Sequence, residues 1–193
     1  MSKKESNFLN MVLTLFAVTF LSSAALGYVY ELTKEPKAAA DLAKKNNAIK
    51  EVLPEYDNNP LAEKYEISTS DGYKLVCYPA KKDGKLVGTA IETFTNKGFS
   101  GIIKLMVGFL PDGTIYDISV VEQKETPGLG NKIEKSKSDF SEQFKGKDPK
   151  VFKLQVKKDG GDVDAITAAT ISSRAFCDAL SRAYNAYMAS KEE

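Results

Sequence analysis

The chain has 193 residues, of which 42% are hydrophobic and 27% charged, which excludes a wholly disordered protein and allows one packed domain with an appendage. Lysine and arginine (27) nearly balance aspartate and glutamate (26), and the net charge of +1 argues against a nucleic-acid-binding protein. Because it has no histidine and only two cysteines, the chain cannot hold a Ser-His-Asp or Cys-His catalytic centre, histidine-ligated zinc or haem, or a four-cysteine iron–sulfur cluster.

The first predicted element is an uncharged apolar segment, residues 8–30. A helix of this length reaches across the hydrocarbon core of a bilayer, which takes about 20 apolar residues. A cleaved signal peptide is the alternative, because Lys3 and Lys4 precede the segment and residues 23–25 are small enough for a cleavage site. We favour a retained anchor, since the apolar run continues past that site. The sequence therefore predicts a short N-terminal tip and a transmembrane anchor over residues 1–30.

A polar stalk or linker is predicted over residues 31–64. Leu42, Ile49 and Val52 recur at near-helical spacing, which predicts an amphipathic helix that stops at Pro54. Lysines lie on both sides of the apolar segment, so charge alone leaves the orientation of the anchor open.

From residue 65 onward, β-branched and aromatic residues predict strands. Two hairpins are expected, one across the turn at residues 81–84 and one across the turn at residues 111–113. A lysine-rich, partly helical stretch then leads to a further predicted strand at residues 151–157. The last element, residues 171 to about 189, has one apolar helical face. These elements predict an α+β domain, in which an antiparallel sheet is packed by a C-terminal helix.

The two cysteines lie in different predicted elements. Cys77 belongs to a strand and Cys177 to the C-terminal helix, and nothing in their spacing requires a disulfide. We expect free, partly buried thiols, with a disulfide as the alternative.

The segment before the C-terminal helix, residues 164–173, combines hydroxyl and carboxylate side chains with small residues. The first backbone N–H groups of a helix lack internal partners and lie at the positive end of its dipole, so this position suits a phosphate. Ala168 and Ala169 would let a bulky ligand approach the backbone closely. An ordinary helix N-cap by Thr167 or Thr170 is the alternative that residue type leaves open.

Residues 164–170 (DAITAAT) resemble the flavinylation signal of the FMN-binding domain family, which reads Asp, two variable residues, Ser or Thr, usually Gly, then Ala-Thr. The usual glycine is Ala168 here. In that family a dedicated flavin transferase joins FMN through its phosphate to the hydroxyl of the last threonine. The resemblance therefore implies covalent FMN on Thr170 and recognition of Asp164 by the transferase. It also implies further cofactor-binding residues in the same segment, namely Thr167, Ala169 and Ser173.

A second segment, residues 125–130 (ETPGLG), resembles the flavin-side loop of the same family. Pro127 favours extended geometry before it, and the two glycines permit positive φ and close backbone approach, so the loop can be rigid. An ordinary Pro-Gly turn is the interpretation of these six residues alone. Residues 98–104 (GFSGIIK) resemble the family as well. The resemblance implies that this loop binds the cofactor through Glu125, Thr126, Gly128, Leu129 and Gly130.

Along the whole chain, the resemblance is closest to the G subunits of Rnf-type ion-translocating electron transport complexes. It implies a covalent FMN-binding domain at residues 65–193, on the non-cytoplasmic side of a bacterial inner membrane, with the tip of the 1–30 segment on the cytoplasmic side. The implied role is an electron-carrying subunit, not catalytic alone, in a complex that works between ferredoxin and NAD and moves Na⁺ or H⁺. The C subunit of sodium-pumping NADH:quinone reductase, another tethered FMN carrier, and a tethered envelope binding module without flavin are the alternatives.

Overall fold

The computed structural model describes residues 7–192, without the side chain of Glu192. Lys3 and Lys4, on which the signal-peptide alternative depends, lie outside these described residues. The chain divides into a unit that ends at Ala43 and a compact unit that begins at Lys44. The helices and strands are α1 (Phe8–Glu51), β1 (Tyr65–Ser68), β2 (Lys74–Lys82), β3 (Lys85–Thr95), β4 (Ile103–Phe109), β5 (Ile115–Glu122) and α2 (Thr170–Glu192).

Helix α1 contains both the predicted anchor and the predicted stalk helix. Its N-terminal part exposes large apolar side chains such as Phe16 and Leu26. Among the described residues, it is the one helix that is long and apolar enough to cross a membrane. The helix continues to Glu51, close to the stop predicted at Pro54. The predicted N-terminal apolar helix is therefore confirmed.

The five strands form one antiparallel sheet in the order β1-β2-β3-β4-β5. Each strand pairs with the next strand along the chain, so short turns suffice as connections. At the β2–β3 turn, Asp83 (φ 51°) and Gly84 (φ 73°) both have the positive φ that a tight hairpin turn requires. The predicted α+β class and both predicted hairpins are confirmed.

Side chains cover both faces of the sheet. On one face, Phe176 and Leu180 of α2 are fully buried against strand residues such as Leu105. On the other face, the end of α1 and the residues after it form a second core with Tyr78, Ala90 and Met106; they are Ala48, Ile49, Val52 and Leu53. These residues belong to the stretch predicted as linker, and in the structure they are part of the sheet domain.

The strand predicted at residues 151–157 is wrong. This stretch has only an isolated bridge between Val156 and Val163, and two short 3-10 helices flank it at Phe140–Phe144 and Lys157–Asp159. Leu154 and Val156 are buried while their neighbours are exposed, so the alternating pattern is real. Alternation reports which side chains reach the core, and a loop that lies on the core produces the same pattern as a strand.

Candidate functional site

A cavity of about 320 Å³ opens where three segments of the compact unit meet. They are the β3–β4 loop, the loop after β5, and the first turn of α2 with the residues before it. The volume is at the low end of the range for small-molecule sites. The cavity is lined by Phe99, Glu125, Thr126, Leu129, Gly130, Ala168, Ala169, Thr170, Ile171 and Ser172.

The loop after β5 is held by its own hydrogen bonds. The carbonyl of Thr126 accepts from the N–H groups of Leu129 (3.2 Å) and Asn131 (3.3 Å). The N–H of Gly128 donates to Oδ1 of Asn131 at 2.8 Å, and Gly128 has a φ of 78°, which favours glycine. These bonds leave the Leu129 side chain 42% exposed at the cavity.

The entry to α2 is organised by Ser173. Its hydroxyl accepts from the N–H of Ile166 (3.0 Å) and donates to the carbonyl of Ala169 (3.0 Å). Ala168, where the family usually has glycine, has a φ of 61°, in the left-handed region. Helix α2 begins two residues later, at Thr170. The first N–H groups of a helix have no partner within it, and here they belong to the turn of α2 that lines the cavity.

Glu125 is a buried acid at the cavity, with 4% of its surface exposed. Its Oε1 accepts from the N–H of Ser100 at 2.9 Å, and its Oε2 accepts from the hydroxyl of Ser172. The side chain therefore connects all three segments that line the cavity.

The structure brings together part of the predicted site. Six of the cofactor-binding residues implied by the sequence line the cavity: Thr170, Ala169, Glu125, Thr126, Leu129 and Gly130. Thr167 and Gly128 are exposed residues of the two loops and do not line it, and Ser173 is buried behind it. Asp164 is also outside the cavity, where its exposed carboxylate pairs with Nζ of Lys157 at 2.7 Å.

Four further residues line the cavity: Phe99, Ala168, Ile171 and Ser172. The sequence indicated Ala168 only as a small residue that lets a ligand approach the backbone, and it did not indicate the other three as cofactor-binding. Phe99 is 67% exposed and Ile171 is 48% exposed, so both present apolar surface at the cavity. An aromatic residue in a glycine-containing loop (GFSG) is the one sequence signal that could have identified Phe99. Ser172 had no such signal, because its role depends on a contact with the distant Glu125.

These features suit a ligand that has both a flat apolar part and an anionic part. The exposed side chains of Phe99, Leu129 and Ile171 offer apolar surface, and the two alanines leave the backbone accessible. The start of α2 favours an anion. The Thr170 hydroxyl has no hydrogen-bond partner within residues 7–192, so it is available to react. These residues therefore fit FMN, whose ring is flat and whose phosphate is anionic.

The sequence matches the family model of the FMN-binding domain over residues 98–185, a range that includes all three segments of the cavity. Several curated relatives are G subunits of the ion-translocating oxidoreductase complex. The relative from Haemophilus influenzae is 37% identical over 160 residues, which are 80% of this chain and 77% of the relative. The relative from Vibrio atlanticus is 34% identical over 183 residues, 90% of this chain and 86% of the relative. The relative from Erwinia tasmaniensis is 48% identical over 108 residues, 54% of this chain and 51% of the relative.

Proposed function

Because the chain belongs to the family of ion-translocating oxidoreductase complex G subunits and contains an FMN-binding domain, we propose that it carries FMN and transfers electrons within such a complex. The observation that carries this proposal is the cavity itself, which combines an apolar rim, a helix N-terminus and an unpaired hydroxyl within the matched domain. FMN supplies the redox chemistry when bound, and the protein supplies position and electrostatics.

The attachment point in this proposal is Thr170. Its Oγ1 forms a phosphoester bond with the phosphorus of FMN, with the net loss of one water. Two features of the chain support Thr170 over Thr167: Thr170 lines the cavity, and it stands at the first position of α2. The Thr170 hydroxyl also has no hydrogen-bond partner among the described residues. The nearby N–H groups at the start of α2 favour the anionic phosphate.

The remaining cavity residues position the ring and exclude water from it. Leu129 and Ile171 contribute apolar contacts from opposite segments, and Phe99 adds an aromatic face. Asp164 lies outside the cavity with an exposed carboxylate, which is where a flavin transferase could reach it. We assign Asp164 to recognition by that enzyme and give it no role in holding the ring.

The proposed partners are the other membrane subunits of the complex, with ferredoxin and NAD as the terminal redox couple and Na⁺ or H⁺ as the transported ion. We place α1 in the bilayer of a bacterial inner membrane and the sheet domain on the non-cytoplasmic side. The apolar part of α1 has no ionisable side chain from residue 8 to residue 27 and no charged one from residue 8 to residue 30, so it offers no ion pathway by itself.

Co-expression of the full chain with a flavin transferase tests the attachment. We expect the intact mass to rise by one FMN minus one water, and the protein to fluoresce on a denaturing gel. Thr170→Ala should remove both signals because the reacting hydroxyl is lost, whereas Thr167→Ala should retain the adduct.

A flavin peptide that maps to Thr167, Ser172 or Ser173 would contradict the assignment to Thr170. A folded wild-type chain that takes up no flavin at all would instead favour a tethered binding module without redox chemistry.

A further inference from the structure

Among the described residues, Glu125 is the one carboxylate that lines the cavity, and the structure holds it in a single place. Both of its oxygens accept hydrogen bonds, one from the backbone of Ser100 and one from the hydroxyl of Ser172. Two glycines pack directly against it. A Cβ at Gly130 would lie 2.7 Å from Oε2, and a Cβ at Gly98 would lie 2.9 Å from Oε1, so neither position has room for a side chain.

Both hydrogen bonds to the Glu125 side chain are donated by its partners. The partner of Oε1 is a backbone N–H, which can only donate, and the partner of Oε2 is the hydroxyl of Ser172. The bond to Ser172 places the carboxylate beside the first turn of α2, where the helix dipole favours negative charge. Among residues 7–192, no ion pair includes Glu125.

From this geometry we propose that Glu125 is a fixed negative charge that lowers the reduction potential of the flavin held in the cavity. The inference rests on the proposed function. Reduction adds negative charge to the contents of the cavity, and a carboxylate in the low-dielectric wall makes that addition less favourable. Glu125 is thus a positioning residue for the cavity walls and also the source of a field on the ring.

The test is a redox titration of the detergent-solubilised full chain, followed by the absorbance of its bound flavin. Glu125→Gln is the central variant because glutamine has nearly the same shape. It can still accept from the N–H of Ser100, and it can donate to the hydroxyl of Ser172. We expect normal flavin content and a midpoint potential more positive than that of the wild type.

Two further substitutions separate charge from shape. Glu125→Asp retains the charge, and its potential should stay closer to the wild-type value than that of the Gln variant. Glu125→Met removes the charge by a second route, and it should shift the potential in the same direction as Gln. The matched control is Glu122→Gln. Glu122 is a half-buried acid at the end of β5 that pairs with Lys104 and does not line the cavity, so the potential of this variant should not change.

The proposal fails if the neutral variants carry flavin with the wild-type potential, or if the Asp variant shifts as far as the Gln variant. It also fails if a folded Gln variant takes up no flavin, because the carboxylate would then be needed for attachment. These results differ from failure of the proposed function, which would appear as a wild-type chain without flavin.

Discussion

At the scale of single residues, Ala168 is the clearest mismatch between sequence and backbone. Its φ of 61° lies in the left-handed region, where an alanine Cβ crowds the following carbonyl at a cost of about 1–2 kcal/mol. Glycine avoids this cost but gives the unfolded chain more freedom, which costs about 0.4–1 kcal/mol. We therefore expect Ala168→Gly to raise the free energy of unfolding by up to about 1 kcal/mol, measured by denaturant titration of the full chain in detergent.

The control is Ala165→Gly, an exposed alanine of the same loop that is not among the positive-φ residues. That substitution should lower the free energy of unfolding slightly, because only the unfolded-state effect applies. Equal effects at the two positions would show that the backbone at residue 168 is not strained.

How much of the site is visible in the sequence depends on whether its residues stand in one motif. Thr170 and Leu129 belong to short contiguous segments, and the structure places both at the cavity. Ser172 enters the site through its hydrogen bond to Glu125, which spans 47 positions in the chain, and no spacing rule reveals such a pair. Ser173 belongs to the same motif as Thr170 but does not line the cavity, and its hydroxyl forms two hydrogen bonds in the turn before α2.

At the scale of elements, the end of α1 belongs to the domain core. Ile49 is 1% exposed in the cluster on the sheet, whereas Leu42, two turns earlier on the same helix, is 63% exposed. We expect Ile49→Ala to lower the free energy of unfolding by about 2–5 kcal/mol, since it removes buried contacts and leaves a cavity. Leu42→Ala should change it by less than about 0.5 kcal/mol.

The free energy of unfolding of both variants is measured by denaturant titration of the full chain, followed by the circular-dichroism signal of the sheet. A loss for Leu42→Ala as large as that for Ile49→Ala would mean that the helix end contributes no special contact to the domain.

The elements differ in how well local sequence determines them. The β2–β3 hairpin follows from its own turn residues, with Asp83 and Gly84 at the required positive φ. Residues 151–157 alternate as a strand would, yet they do not pair with the described sheet, and they form a loop on the core. Pairing is a property of the whole sheet, so periodicity alone could not distinguish the two outcomes.

At the scale of the whole molecule, a thiol probe can test on which side of the membrane the sheet domain lies. Both native thiols are free and buried, and burial raises the pKa of Cys77 and of Cys177 to about 12, so they stay protonated and unreactive at neutral pH. Val151 is 81% exposed, which makes Val151→Cys a suitable single reporter. A membrane-impermeant maleimide should label this variant on intact cells, because the domain is proposed to lie outside the cytoplasm.

The unsubstituted chain is the control, and it should stay unlabelled until it is denatured. Labelling of Val151→Cys only after the cells are broken would place the domain in the cytoplasm and contradict the proposed orientation.

The cavity is assembled from three segments that leave the ribosome at different times. Residues 98–101 and 125–130 are synthesised with the sheet, but the wall that carries Thr170 arrives only with α2. Helix α2 takes its place when Phe176 and Leu180 enter the core on the sheet. The Thr170 hydroxyl therefore meets the rest of the cavity only after α2 has packed on the sheet. If attachment needs the complete cavity, bound flavin marks a molecule that has folded correctly. The fraction of molecules that carry flavin in a preparation then equals or falls below the fraction that has folded.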